Sequence, residues 1–282
     1  MTDESNAYRA YRRWVTEEIV GDPVVSVVIP AYNEEIRILP TVGAIATHMS
    51  ARNEPWELII SDDGSRDSTV QLLTDLQFAN MRVLVAERNQ GKGAAVKRGM
   101  LAARGRYILF ADADQSTPIE QFDRLLNEIH AGAHVVVGSR AAEGANVQGK
   151  SAFRKVLSAG LRGVVSVGFG ISVTDTQCGF KLFDADAAKV LFGLQLVEGF
   201  SFDLEILYLA HRVGYTTAEV PVEWIDAPGS TVDAARVSAE FMRDLVAIKA
   251  RDVRGRYDIA GARAHRLART TTLHEPQKED VS

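Results

Sequence analysis

One cysteine, Cys178, stands in 282 residues, so no internal disulfide framework can form. No secretory pattern opens the chain, and with a lone cysteine this sets the expectation of a reducing cytoplasm. Long apolar runs are also missing. The longest uncharged stretch near the middle, Gly163 to Thr174, falls far short of the ~20 apolar residues of a membrane span. Excess positive charge is absent, and a net charge of -5 gives no reason to expect nucleic acid. Cys178 and the six histidines lack the spacing of a zinc site or a thiol nucleophile, and Cys178 reads as a small buried side chain. A hydrophobic content of 46% suffices for one full core.

Strand and helix patterns alternate along that core. Val24 to Ile29, Glu57 to Ile60, Arg82 to Val85 and Tyr107 to Phe110 are short apolar runs bounded by Pro, Asp-Gly, Asn and Gly, as buried parallel strands are. Ile36, Leu39, Val42, Ile45 and Met49 repeat at helical spacing, as do Val70, Leu73 and Leu76. The pattern predicts an α/β fold with a mostly parallel, Rossmann-like sheet flanked by helices and a ligand site at the carboxyl ends of the strands. His134 to Gly138 and Ala218 to Val222 add strands, the second at an edge because of Pro221. Residues 1-23 read as an N-terminal extension without clear periodicity, 24-257 as one catalytic domain, and 258-282 as a polar, disordered tail.

Four loops fall just after predicted strands. Asp112-Ala113-Asp114 closes the run Tyr107 to Ala111, and two carboxylates at i and i+2 of a strand share a face, where they can offer oxygens to one hard cation and its phosphate ligand. In Pro30-Ala31-Tyr32-Asn33-Glu34, the proline ends the ladder, Tyr32 can lie on a flat base, and Asn33 and Glu34 can bond base or ribose. A plain helix start capped by Asn33 fits that motif equally well. Asp62-Asp63-Gly64-Ser65 reads as a site loop or as a turn before a helix cap. Asn89-Gln90-Gly91-Lys92-Gly93 has glycines that allow close backbone approach to a ligand and a lysine suited to a diphosphate, without the spacing of a P-loop.

The order of these motifs resembles the inverting GT-A-fold glycosyltransferases, and more closely the polyprenyl-phosphate sugar synthases of the dolichyl-phosphate glucose and mannose type. The likeness covers roughly Val24 to Arg256. It is greatest for the dolichyl-phosphate glucosyltransferase pattern at Gly91 to Met100, Leu109 to Asp114 and Asp175-Thr176-Gln177-Cys178-Gly179-Phe180-Lys181-Leu182-Phe183. The resemblance implies that Pro30, Ala31, Tyr32, Asn33, Glu34 and one of Asp62 and Asp63 hold the nucleoside of a UDP-sugar. It implies further that Lys92, Asp112 and Asp114 address the diphosphate and a Mg²⁺ or Mn²⁺ ion, and that Lys181 approaches the phosphates. Asp112, Asp114, Arg140 and Lys181 are the catalytic candidates.

Between Arg140 and Arg162, five basic residues (Arg140, Lys150, Arg154, Lys155 and Arg162) face one acid, Glu143, an arrangement suited to an anionic acceptor. In the resembled synthases the positions of Arg140, Arg154 and Ser158 bind the lipid phosphate, here a polyprenyl phosphate. Such a phosphate is already an oxyanion at neutral pH and needs no general base. Asp175 serves as a base if the acceptor is a hydroxyl, or otherwise orients Lys181 or a turn. For Asp203 and Glu205 a structural and a site role stand level. Val237, Phe241, Leu245 and Ile248 form a stripe on a basic segment, which fits either peripheral contact with the inner face of the membrane or a core helix. A soluble transferase with a hydroxyl acceptor, a nucleotidyltransferase and a non-catalytic nucleotide-sugar binding module are the competing readings.

Overall fold

The computed structural model describes residues 3–148, 168–225 and 234–274. Seven strands form one sheet: β1 (Val25–Ala31), β2 (Trp56–Asp62), β3 (Met81–Val85), β4 (Tyr107–Ala111), β5 (Val135–Ser139), β7 (Phe180–Asp184) and β8 (Thr217–Pro221). Their order is β3-β2-β1-β4-β7-β5-β8, and β6 (Asn146–Gln148) pairs with β9 (Glu223–Ile225) as a separate ribbon. All pairings in the large sheet are parallel except those of β7, which runs antiparallel to both neighbours. The chain steps outward from β1 through β2 to β3, then returns to the other side of β1 at β4. That reversal opens a crevice beyond the carboxyl ends of β1 and β4, where α/β sheets bind ligands.

Helices α2 (Ile38–Ala51), α3 (Thr69–Leu76), α4 (Lys92–Ala102), α5 (Phe122–His130), α6 (Ala185–Leu194) and α7 (Phe202–Val213) cover the sheet. The predicted apolar stripe of α2 begins later than its spacing suggests: Val42, Ile45 and Met49 are buried, whereas Ile36 precedes the helix and is 85% exposed. β8 lies at the sheet edge, as Pro221 predicts. Cys178 is buried and free. Strand β7 has no counterpart among the predicted strands, because Lys181 interrupts its apolar run.

Both chain ends are more ordered than their polarity suggests. Residues Asp3–Thr16 form α1, whose Trp14 stacks on Trp56 with ring centroids 4.2 Å apart and donates to the Trp56 carbonyl at 2.9 Å. Stacked indoles bury enough area to dock an otherwise polar helix. Segment 258-274 is likewise not a disordered tail, for Ile259–His274 forms α9. Ile259 and Ala262 are buried, Arg263 donates to the Arg212 carbonyl at 2.6 Å, and His265 and Arg269 lie on Asp186. Of the stripe on α8 (Ala234–Val253), Phe241, Leu245 and Ile248 are buried, so this face belongs to the core and cannot lie on a membrane. The side chain of Val237 lies outside the described residues. No helix among the described residues is long and apolar enough to cross a membrane.

Candidate active site

The crevice is built from three loops laced by backbone hydrogen bonds. Pro30 does not end β1: pairing with β2 continues to Ala31 opposite Asp62, while pairing with β4 stops at Val28. The missing donor of Pro30 therefore costs no ladder bond on the β4 side. The chain then turns at Asn33, which adopts φ 56°. An asparagine tolerates that conformation better than most side chains, and its amide oxygen accepts from Arg66 N at 2.9 Å while its own N donates to Ser65 Oγ at 2.8 Å. Asn33 thus ties the first loop to the second and caps no helix, since α2 starts only at Ile38. Tyr32 is 39% exposed, its ring free to take a stacking partner. A cleft of about 500 Å³ runs between residues 33–37 and Arg66–Asp67.

Asp62 and Asp63 are both buried and act first on the loops themselves. Asp62 accepts from Gly64 N and Ser65 N, each at 2.9 Å, and from the Ser65 hydroxyl. Asp63 accepts from Gln90 N at 3.0 Å and Gly91 N at 2.7 Å, which sets the third loop. The glycines of that third loop answer to packing rather than to a ligand. A Cβ on Gly91 would stand 2.5 Å from the Glu198 carbonyl oxygen, and one on Gly93 2.7 Å from that of Val197.

Lys92 opens α4 and places Nζ 2.6 Å from Asp112 Oδ1. Burial lowers its affinity for a proton, but Asp112 and Asp203 outweigh that and hold it above the ordinary lysine value. Asp112 and Asp114 do not share a strand face, because β4 ends at Ala111 and the pair sits on the following turn. That turn is pinned: Asp112 N donates to Gly179 O at 2.9 Å, Thr41 Oγ1 to Ala113 O at 2.6 Å, and Ser116 N to Asp114 Oδ1 at 2.9 Å. Glu34, paired with Arg37 at 2.8 Å, is raised above the ordinary carboxyl range by burial, with Asp114 and Asp112 pushing the same way. Three acids therefore share one field. Among the described residues, no group of three or more His, Cys, Asp or Glu converges as a metal cage. Two carboxylates on a turn with one lysine beside them fit a hard cation that takes its remaining ligands from phosphate and water.

Lys181 stands elsewhere than at the rim. It is 1% exposed within β7, and its Nζ lies 2.5 Å from Asp203 Oδ1 and 2.6 Å from Cys178 O. Asp203 opens α7, and burial lifts its carboxyl while Lys181 and Lys92 pull the other way. Glu205 is structural: it accepts from Leu196 N, Val197 N and the Tyr257 hydroxyl.

Arg140 leaves β5 and meets Asp175 rather than open solvent. Nε reaches Oδ2 at 2.7 Å, Nη2 reaches Oδ1 at 2.8 Å, and the Arg140 backbone N adds a third bond at 2.9 Å. Burial would raise the Asp175 carboxyl, yet Arg140 outweighs it and holds it below the ordinary aspartate value. A carboxylate so placed orients Arg140, not Lys181, and makes a poor general base near neutrality. No spacing rule links Arg140 to Asp175. The other expected acceptor residues, Arg154 and Ser158, lie outside the described residues, as do Lys150, Lys155 and Arg162.

The chain is similar to known proteins in sequence and in fold. A dolichyl-phosphate beta-glucosyltransferase of Dictyostelium discoideum is 36% identical over 83% of this chain and 76% of its own length. That of Saccharomyces cerevisiae is 37% identical over 80% and 74%, and one of Trichomonas vaginalis 40% over 70% and 62%. The chain thus spans between three fifths and about three quarters of the length of these relatives. Among solved structures, glucosyl-3-phosphoglycerate synthase from Mycobacterium tuberculosis in complex with UDP superposes with a TM-score of 0.60 at 20% identity, covering 80% of this chain and 78% of that one. Its complex with Mn²⁺, UDP-glucose and glycerol 3-phosphate matches equally. The fold is the GT-A arrangement. The model for the family described as Glycosyl transferase family 2 matches residues 26–192, β1 through α6, and the chain belongs to that family of glycosyltransferases.

Proposed function

We propose that this glycosyltransferase moves glucose from UDP-glucose to a dolichyl-type polyprenyl phosphate, with inversion at the anomeric carbon. The names of the relatives support the lipid acceptor and the glucosyl group. The observation that carries the reading is the charge layout of the crevice. Asp112, Asp114 and Lys92 gather at the carboxyl end of β4, and Arg140 emerges from β5 in the same sheet.

Asp112 and Asp114 would hold a Mg²⁺ or Mn²⁺ ion, which supplies positive charge to the diphosphate. The lipid-phosphate oxygen forms a bond to C1 of the sugar as the bond from C1 to the UDP oxygen breaks, and the leaving electron pair stays on UDP. Lys92 stands where it can donate to that developing charge. Tyr32 offers a face for the uracil. The acceptor enters already ionised, so no proton needs removing, in agreement with an Asp175 committed to Arg140. Membrane contact, on this reading, is peripheral and falls to exposed apolar residues of α8 such as Val246.

The test is transfer of label from radiolabelled UDP-glucose in the presence of Mn²⁺ or Mg²⁺ and dolichyl phosphate in detergent. The expected product partitions into organic solvent and depends on the metal. Label recovered only in a soluble glucoside would replace the lipid acceptor by a hydroxyl acceptor, and faster transfer from GDP-mannose would replace the donor.

A further inference from the structure

The segment from Thr174 to Lys181 touches both halves of the crevice, and its contacts differ at its two ends. At one end Asp175 takes three hydrogen bonds from Arg140. At the other, Gly179 O accepts from Asp112 N at 2.9 Å, and a Cβ built on Gly179 would overlap the Asp112 carboxylate. Lys181 then anchors the segment in the sheet through Asp203 and the Cys178 carbonyl.

Asp175 is itself held. Glu219 of β8 accepts from Thr174 N at 3.0 Å, from the Thr174 hydroxyl at 2.5 Å and from Asp175 N at 3.1 Å. Glu219 sits opposite Val137 in the parallel β5 and β8 pair, and Arg140 leaves the end of that same β5. Ser139 Oγ accepts from Ala141 N and Ala142 N, fixing the exit of the chain from β5. The guanidinium of Arg140 lies 5.7 Å from the Trp224 ring centroid on β9. Two of its nitrogens are committed to Asp175, and Nη1 has no hydrogen-bond partner among the described residues.

We propose that Asp175 is a positioning residue, held by Glu219, that fixes Arg140 with Nη1 turned to the acceptor phosphate, and that the 174–181 segment sets this arginine against the donor-side Asp112. The proposal rests on the phosphate-acceptor reading above. A guanidinium held at two points keeps one direction of donation, and loses little freedom when an anion arrives. Joining it through one short segment to the turn that carries Asp112 places the attacking oxygen relative to C1, which is the proximity effect.

The experiment measures acceptor KM, kcat and UDP affinity for Asp175→Asn, Glu219→Gln and Gly179→Ala beside the wild-type chain. Asp175→Asn keeps the shape but loses the charge. Acceptor KM is expected to rise about ten- to a hundredfold, with UDP affinity in Mn²⁺ unchanged within about twofold. Glu219→Gln should move acceptor KM the same way by less. Gly179→Ala should do the reverse, weakening UDP and Mn²⁺ binding with little change in acceptor KM. Wild-type protein that fails to glucosylate dolichyl phosphate overturns the acceptor reading and this inference with it. Wild-type transfer with an unaltered acceptor KM in Asp175→Asn overturns the inference alone, as does equal loss of acceptor and UDP affinity. If Asp175→Asn does not fold, Glu219→Gln decides by the same split. A purely structural ion pair would also be restored by the exchange Arg140→Asp with Asp175→Arg, and recovery of acceptor KM in that double variant would equally sink the proposal.

Discussion

Strand β2 carries buried acids at both ends, and the two ends hold them in opposite ways. At the amino end, Glu57 is closed off by a hydroxyl, one backbone N–H and two guanidinium groups: Ser26 Oγ at 2.6 Å, Arg104 N at 2.8 Å, Arg82 at 3.0 Å and the Arg104 guanidinium at 3.1 Å. At the carboxyl end, Asp62 and Asp63 take their hydrogen bonds mainly from backbone N–H groups of the loops they shape, and Asp63 Oδ1 has no hydrogen bond, only the Arg98 guanidinium at 3.7 Å. Of the other two rim acids, Asp114 accepts from backbone Ser116 N and Asp112 is paired with Lys92, one cation for two carboxylates. An acid wired to several cations stabilises the fold and has no capacity left. Acids that outnumber the cations beside them leave negative charge unbalanced on the rim, where a divalent cation and the diphosphate it carries can complete it.

The largest effect that tests this contrast is loss of activity with no loss of fold. Asp114→Asn retains an oxygen for Ser116 N but removes the charge, so metal-dependent transfer should fall about 10²–10³-fold while the melting temperature stays within a few degrees. Initial rates against metal concentration and a thermal melt check it. Near-full activity at the normal metal requirement would remove Asp114 from the site.

Two lysines sharpen the comparison, Lys181 buried in β7 and Lys92 at the rim. Lys181→Met leaves Asp203 buried without its partner, which typically costs about 3–5 kcal/mol and should show as a large drop in melting temperature. Lys92→Met should melt close to wild type, because Asp112 regains solvent, but should bind UDP-glucose more weakly by about tenfold. If both variants melt alike, the division between buried frame and open rim fails at this point.

Glu57→Gln tests the amino end. Burial would raise the Glu57 carboxyl, but Ser26, the Arg104 N–H and the two arginines hold it below the ordinary glutamate value. A depressed carboxyl contributes stability that is present above its unfolded value and disappears as pH falls through its folded value. The variant should therefore be less stable than wild type near neutrality by about 2–3 kcal/mol, the arginines being partly in solvent. Unfolding by urea at about pH 7 and again at about pH 4 or lower should show the gap narrowing on acidification. Acceptor and donor KM should stay at wild-type values. A gap that widens in acid would mean that Glu57 is not held ionised.

The amino and carboxyl ends also differ in how plainly the chain announces them. Strands β1, β2 and β4 stand out because parallel strands buried on both faces are continuous apolar runs, and the loops that follow them are the candidate site loops; β3 is only half-buried, with Val85 exposed. That pattern places the candidates Asp112, Asp114 and Lys92 on loops at the strand ends, and the roles expected of them come from the family resemblance. Elsewhere local pattern and tertiary contact part company. Lys181 hides β7, because a strand with a buried lysine in its middle makes sense only once Asp203 supplies the counter-charge. Gly91 and Gly93 look like ligand glycines, yet their space is taken by the chain at Val197 and Glu198. The Arg140 and Asp175 pair joins positions 35 residues apart, a separation no motif encodes. Helices α1 and α9 are polar segments ordered by tertiary contacts that no local pattern displays, among them the Trp14 and Trp56 stack, the Trp14 and Phe78 contact, buried Ile259 and the Asp186 ion pairs.

The smallest effect concerns the nucleotide, and it separates the two ends by ligand rather than by fold. Binding to the native state raises apparent stability by RT ln(1 + [L]/Kd), about 2.7 kcal/mol at a hundredfold excess over Kd. For a domain of this size that is a shift of about 5–10 °C. The likeness to glucosyl rather than mannosyl synthases favours UDP over GDP by a few degrees at equal concentration in Mn²⁺. The shift should survive in Glu57→Gln, whose lesion lies at the far end of β2, although its starting temperature is lower. In Asp114→Asn the part of the shift that needs Mn²⁺ should vanish while the starting temperature holds. A larger shift with GDP would reassign the donor, and a Mn²⁺-dependent shift lost in Glu57→Gln would show that the amino-end cluster shapes the crevice after all.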